Sequence, residues 1–361
     1  MAIDLKRLLS SEKFVPVYAI RKGLDGERLG PFSVELHWTS ACNHGCTHCS
    51  YGLRRVTRER LSDAEIINLI RDIASLGTKA VYLSGGGEPT LVNGWHRYAS
   101  LLMDAGIEVA LITNGSLLKQ GHRTVLRRMN YIAISVYSTD KERYERITGG
   151  SAFDKQFSLP SWIKDGGSRA VVGARCVLNS INFMDTVSIY REAQNAGYDY
   201  VIFIPAVDYE KRGVGLKEAE TAELKGILGA HSGEFDRART NINTLFGQGM
   251  SYYETSDYRS PSGFDSCKAI QVRANAFVNY DGAVYTCQPH IGREGYSLGN
   301  IKHGPFARLW NSKRHREVLC LLNHEFSSGL CKNCRSIAFN KAVYSHEQNP
   351  TDEGLLLDVF I

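Results

Sequence analysis

Residues 33–49 read SVELHWTSACNHGCTHC: an apolar run gives way to three cysteines, Cys42, Cys46 and Cys49, spaced C-x3-C-x2-C. The first half has the length and composition of a strand over Ser33–Thr39, which puts the cysteines in the loop directly after it. Three thiolates this close in the chain converge on one metal centre. A structural zinc site takes four ligands, usually as two separated pairs, and here His44 or His48 would have to supply the fourth. Three thiolates also suit a 4Fe–4S cube with one iron left open to an exogenous ligand.

Working outward, the strand at 33 is the first of six. Lys79–Ser84, Ile107–Thr113, Tyr131–Tyr137, Ala170–Leu178 and Tyr200–Ile204 are further short apolar runs with helical stretches between them. One such helix, Ser62–Ser75, has Asp63 and Glu65 in its first turn and Gly77 just past its end. Repeated strand–helix units predict an α/β fold with a parallel sheet and right-handed crossovers, either doubly wound or an incomplete barrel. Both place ligands at the carboxyl ends of the strands. The second strand ends in Gly85-Gly86-Gly87-Glu88-Pro89-Thr90, where glycines let backbone approach a ligand closely.

Alternation assigns faces. Ile132, Ile134 and Val136 form an apolar face for the helices, and Ser135 and Tyr137 point the other way, into the barrel. Arg175 and Asn179 share the inner face of the fifth strand. Cys176 falls with Val172, Ala174 and Leu178 on the outer face, as a small buried hydrophobe.

The chain has 361 residues, 43% of them hydrophobic, which allows one large α/β domain and a smaller one. A net charge of +5 is too mild to argue for nucleic acid, and the pairs Arg54-Arg55 and Lys313-Arg314 read as solvated surface. Residues 1–9 carry charges at Asp4, Lys6 and Arg7 and no apolar run, and no stretch approaches a membrane span. The expectation is a cytoplasmic protein with neither nucleic acid nor membrane as partner. Its nine cysteines would then stay reduced and act as metal ligands rather than disulfides.

The expected organisation is an N-terminal extension (1–32), the strand–helix domain (33–205), a helical connector (206–265) and a cysteine-bearing domain (266–361). The connector holds a helical pattern at Leu216–Leu228, then a stretch rich in Ser, Tyr, Gly and Pro over Ser251–Gly263. Asn279-Tyr280-Asp281-Gly282 signals a hairpin. Cys267, Cys287, Cys331 and Cys334 make a closed four-ligand set, as suited to zinc as to a 4Fe–4S cluster. Cys320, inside the apolar run Val318–Leu322, reads as a buried structural thiol.

The cysteine loop, the Gly-Gly-Glu-Pro segment and Thr113-Asn114-Gly115 together resemble the radical S-adenosylmethionine (SAM) superfamily. The resemblance implies a partial (β/α)6 barrel in which a 4Fe–4S cluster on Cys42, Cys46 and Cys49 binds SAM through its open iron. It implies cofactor contacts from His48, Gly85, Gly86, Gly87, Glu88, Asn114, Ser135, Arg175 and Asn179. The spacing from Cys267 through Gly282 to Cys287, with Tyr296–Ile301 and Leu309–Ser312, resembles the SPASM/twitch extension of these enzymes. That implies one auxiliary 4Fe–4S cluster on Cys267, Cys287, Cys331 and Cys334. A full SPASM domain has further cysteines where this chain has Asn340 and Tyr344, so the twitch form fits better.

The chemistry so implied is reductive cleavage of SAM to a 5′-deoxyadenosyl radical that abstracts a substrate hydrogen. An electron donor of the flavodoxin or ferredoxin type would serve it. The expected outcome is oxidation of a small polar substrate such as a sugar or aminocyclitol, with Tyr137 and Arg175 as candidate catalytic groups and His37 weaker. Rival readings are a peptide maturase, a radical epimerase, or a non-catalytic zinc or iron–sulfur scaffold. Only about thirty residues precede the first strand, too few for a leader-peptide domain of ordinary size, which ranks the peptide reading second.

Overall fold

A computed structural model describes residues 13–24, 29–51, 58–206, 212–236, 239–242, 265–331, 334 and 336–349. Residues 1–9, Arg54-Arg55 and the stretch 251–263 lie outside these. In chain order the first elements are α1 (Phe14–Arg21), β1 (Ser33–Leu36), α2 (Asp63–Ser75), β2 (Ala80–Leu83), α3 (Trp95–Asp104), β3 (Glu108–Thr113) and α4 (Arg123–Arg128). There follow β4 (Tyr131–Ser135), α5 (Lys141–Thr148), α6 (Lys155–Lys164), β5 (Val171–Leu178), α7 (Thr186–Asn195) and β6 (Tyr200–Pro205). All six expected strands are present.

Local chemistry sets the helix ends. Ser62 caps α2: its hydroxyl accepts from Glu65 N at 3.3 Å, while the Glu65 carboxylate accepts from Ser62 N at 2.6 Å. Asp140 caps α5 through Arg143 N at 2.7 Å, and Gly149 ends it in the left-handed region at φ 62°.

The strands pair in parallel in the order β6-β5-β4-β3-β2-β1. Their outer face is apolar and fully buried: Ile132, Ile134, Val136, Val172, Ala174 and Cys176 all have no exposure. Each large side chain there contributes roughly 1.5–3 kcal/mol by leaving water. The inner face closes at its amino end with Ala80, Ala110, Tyr131, Val171 and Tyr200. Gly173 is needed there, because a Cβ would lie 2.1 Å from the Tyr200 ring. The floor is thus packed, and the carboxyl end stays open for a site.

The C-terminal part joins the same sheet. After α8 (Glu218–Ala230) and α9 (Lys268–Gln271) the chain enters β7 (Asn275–Val278), which pairs in parallel with β1, Ser33 opposite Asn275. The expected hairpin then forms, with β8 (Val284–Tyr285) antiparallel to β7. The sheet therefore has eight strands and runs across the expected boundary at 266. Among the described residues of the connector, Leu224, Leu228, Phe235 and Ile242 are buried in the main core. Beyond lie α10 (Phe306–Leu309), α11 (Lys313–Ser327) and α12 (Ile337–Gln348), which packs on α1 with Phe14 and Phe339 5.3 Å apart. Lys313 is 87% exposed, as solvated surface should be. Cys320, expected inside, is exposed. On α11 the buried side is His315, Val318, Leu322 and Phe326, and Cys320 lies off that stripe. Among the described residues no helix is long and apolar enough to cross a membrane.

Candidate functional site

The loops at the carboxyl ends of the strands surround a cavity of about 510 Å³. Cys42, Cys46 and Cys49 all line it, beside His44 and His48. The opposite walls come from Ser135 at the end of β4 and Tyr137 just beyond it, Arg175 and Val177 on β5, and Ile204, Pro205 and Ala206 around the end of β6. The C-terminal part supplies Asn275, Phe277, Gln288, Ser336 and Phe339.

The cysteine loop is held by backbone alone at several points. Gly45 N donates to Thr148 O at 2.7 Å and Thr47 N to Ile147 O at 2.9 Å, fixing it to the end of α5. On its other side Gly87 N donates to Thr39 O and Glu88 N to Ala41 O, each at 2.8 Å. The two loops run so close that a Cβ on Gly87 would sit 1.8 Å from Ala41 O. Gly85 and Gly86 have positive φ, and a Cβ on Gly85 would strike the His37 ring at 2.1 Å. All three glycines line the cavity, yet the close approach that demands them is to the cysteine loop and His37.

Glu88 is 3% exposed and joins the ends of two strands. Its carboxylate accepts from Thr90 N and Oγ1, from Thr113 Oγ1 at 2.6 Å and from Asn114 N at 2.8 Å. Burial pushes its carboxyl above the ordinary range, and those hydrogen bonds pull the other way. Ser135 and Arg175 are register partners on the inner face, as alternation predicts. Asn179 is placed differently. It is 1% exposed and absent from the cavity wall, with its Nδ2 3.5 Å from His48 Nδ1. Its amide thus reaches the ring of His48, which does line the cavity. Strand β5 ends at Leu178, and Asn179 N donates to Asn182 Oδ1 at 2.8 Å in the turn that follows.

Tyr137 lines the cavity but is only 7% exposed, its ring 5.0 Å from that of His48. Burial, then the charge of Cys46 and Cys49, raise its phenol well above the usual value. Such a group does not take up a proton near neutrality. Tyr137 and Arg175, the two candidate catalytic groups, both line the cavity. Cys176 is fully buried, its thiol pushed up by burial.

The second cysteine set assembles from distant segments. Burial raises the thiol of Cys287 first, and the charges of Cys334, Cys267 and Cys331 follow, so the four lie within electrostatic reach of one another. Burial also pushes Cys331 up to about 12. Crowded buried thiols are unfavourable as thiolates without a cation, and a metal centre reverses that. Asn340, at one of the positions a full SPASM domain gives to cysteine, is fully buried and donates to Cys267 Sγ at 3.4 Å. Tyr344, at the other, takes up Ser266 N at 3.0 Å. Among the described residues no three His, Cys, Asp or Glu side chains converge tightly enough for a single ion. Sets of three and of four thiols are the ligand chemistry of 4Fe–4S clusters.

Comparison with known proteins agrees with this geometry. A family model for the radical SAM superfamily matches residues 36–205, and one for the SPASM iron–sulfur cluster-binding domain matches residues 267–335. The chain belongs to the radical SAM superfamily and carries a SPASM-type domain, with SAM and 4Fe–4S clusters as its cofactors. Among particular relatives, the Fe-coproporphyrin III synthase of Methanosarcina barkeri is 24% identical over 82% of this chain and 80% of its own length. The mycofactocin maturase MftC of Mycolicibacterium smegmatis is 23% identical over 88% of this chain and 78% of its own. SuiB of Streptococcus suis, solved with its precursor peptide SuiA, has the same fold. Its TM-score is 0.62 at 14% identity, over 86% of this chain and 73% of that one.

Proposed function

We propose that this radical SAM enzyme modifies a peptide. The observation that carries the reading is the wall of the cavity beyond the cysteine loop. Val177, Ile204, Pro205, Ala206, Phe277 and Phe339 give it apolar and aromatic surface between the polar groups of Asn275, Gln288 and Ser336. A peptide side chain suits such a wall. The likeness to a maturase over most of the chain supports the same reading, as does the shared fold with a protein solved around its precursor peptide. Peptide maturation thus moves ahead of oxidation of a small polar substrate.

In this reading Cys42, Cys46 and Cys49 hold the SAM-binding cluster, and Cys267, Cys287, Cys331 and Cys334 the auxiliary one. When bound, the first cluster and SAM supply a hydrogen-abstracting radical to the substrate. The chain's own residues position the parts. Arg175 offers a planar fork to the cofactor carboxylate, with Ser135 beside it. Gly85, Gly86 and Gly87 keep the cavity edge free of side chains. Glu88 holds Asn114 and Thr113 in place from within the wall. His48, backed by Asn179, stands against Tyr137 at the edge of the site. A flavodoxin- or ferredoxin-type protein is the proposed electron source.

Anaerobically reconstituted enzyme, given SAM and dithionite, should form 5′-deoxyadenosine faster with a short peptide encoded beside its gene, and the peptide should change mass. Stimulation by sugars or aminocyclitols, with none by peptide, would overturn the reading. Absence of 5′-deoxyadenosine under every condition would favour the non-catalytic scaffold.

A further inference from the structure

The auxiliary cysteines have a carboxylate beside them that takes no part in the arrangement above. Glu325 stands on α11, two residues after Asn323, whose Oδ1 accepts from Cys267 N at 3.0 Å. Its backbone oxygen accepts from Leu330 N, next to Cys331, at 2.8 Å. Its carboxylate is fixed from the segment that follows Cys287. Tyr296 Oη donates to Glu325 Oε1, and His290 Nε2 lies 3.4 Å from Glu325 Oε2. The two rings stack with centroids 3.8 Å apart and planes 23° apart, and His290 N donates to Cys287 O at 3.2 Å. The hydrogen bond to Glu325, then burial, raise the Tyr296 phenol to about 12, so the proton stays on Tyr296 and the carboxylate accepts. Burial lowers the His290 imidazole below its ordinary range, so this ring adds no positive charge at neutral pH. Among the described residues no lysine or arginine pairs with the carboxylate. Its side chain is 18% exposed, which leaves little water to screen the charge. That charge bears on the cysteines: after burial and the other cysteines, it raises the thiols of Cys287 and Cys331.

We propose that Glu325 holds the auxiliary 4Fe–4S cluster at a lower reduction potential than its four cysteines alone would give it. Reduction adds an electron to a centre bound by four thiolates, and a fixed negative charge nearby opposes it. A unit charge at about 10 Å, in an effective dielectric of about 20, shifts such an equilibrium roughly tenfold. A glutamine could keep both ring contacts without opposing the thiolates, so the charge is what sets Glu325 apart from a structural residue. Asn340, whose Nδ2 donates to Cys267 Sγ, acts in the opposite sense, so the two residues set the potential from both sides. This assignment rests on Cys267, Cys287, Cys331 and Cys334 as the cluster's ligands and is independent of which substrate the enzyme takes.

The test is a redox titration of reconstituted holoenzyme, followed by electron paramagnetic resonance. Added SAM perturbs the signal of the open cluster and so identifies the other as auxiliary. In Glu325→Gln, at any fixed potential, the ratio of reduced to oxidised auxiliary cluster should rise about tenfold, an upward shift of about 59 mV for a one-electron couple. Glu325→Asp keeps the charge and should stay closer to wild type, and the open cluster should move in neither variant. An unmoved auxiliary potential in Glu325→Gln, or equal shifts in the two variants, would overturn the assignment. So would loss of auxiliary iron from both, which would make Glu325 part of the scaffold. Iron for a single cube in wild type would overturn the cluster reading and this assignment with it, a failure that iron analysis shows before any titration.

Discussion

The two cysteine sets of this protein are built in opposite ways. Cys42, Cys46 and Cys49 come from one loop eight residues long, and all three face the cavity. Cys267, Cys287, Cys331 and Cys334 come from three separate segments and none of them lines the cavity, although Gln288 and Ser336 beside them do. The first set leaves room for a ligand because its loop can present only three thiols to the open end of a barrel. The second is closed because the fold surrounds it: β7 docks on β1, and α11 and α12 bring the last two thiols. Openness here follows from where a ligand set sits in the sheet, and closure from how many segments converge.

The strongest way to break this comparison is to delete the open set. Replacing Cys42, Cys46 and Cys49 together by alanine should abolish 5′-deoxyadenosine formation and remove about half of the bound iron, one of two cubes. Persistent cleavage of SAM by that variant would show that the closed set does the chemistry.

Gly87→Ala attacks the same set indirectly. Its Cβ would meet Ala41 O at 1.8 Å, so the loops must part. We expect loss of the first cluster with the auxiliary one retained, and destabilisation of roughly 1–3 kcal/mol in thermal unfolding. Retention of both clusters would mean that the loop tolerates displacement.

The scaffold of the closed set should respond to acid through His315 on α11. This residue is fully buried against Trp310, with Nδ1 accepting from Asn311 N at 2.9 Å. Burial, then the charges of Arg273 and Arg316, lower its pKa to about 3. The unfolded chain binds a proton near the ordinary imidazole value of 6.5, so between these values only the unfolded state takes one up. Stability contributed by the neutral ring is present above about 6.5 and is lost as pH falls towards about 3, on the order of a few kcal/mol. In chemical denaturation His315→Gln should be less stable at pH 7 and show a flatter slope between these limits. An unchanged slope would place the acid sensitivity elsewhere.

The smallest effect sharpens the contrast most. Asn340→Leu removes the N–H directed at Cys267 Sγ. A hydrogen bond to a ligand sulfur favours the reduced cluster, so its loss should lower the auxiliary potential. One bond of about 1 kcal/mol corresponds to roughly 40 mV for a one-electron couple. Redox titration followed by electron paramagnetic resonance would measure it, and the first cluster should not shift.

Much of this protein was legible in its sequence because the relevant signals are local. Alternation in β4 and β5 set Ile132, Ile134 and Cys176 outside and Ser135 and Arg175 inside, since a strand's faces repeat every two residues whatever its neighbours. Spacing marked the three-cysteine loop, and the capping residues marked α2. Where locality ended, so did the reading. Asn179 shares a parity with Arg175 but lies past the strand, where the period no longer holds. Cys320 sits in an apolar run, but a helix exposes one side whatever the composition of five residues. The pairing of β7 with β1, across more than two hundred residues, has no local signal at all. That pairing carries Phe277 to the side of Glu35 and makes an unremarked carboxylate of the first strand part of a cavity wall. Residue order determined the ligands and the faces, because those depend on near neighbours. Tertiary structure decided which charges meet in the cavity, because that depends on segments the chain brings together only when it folds.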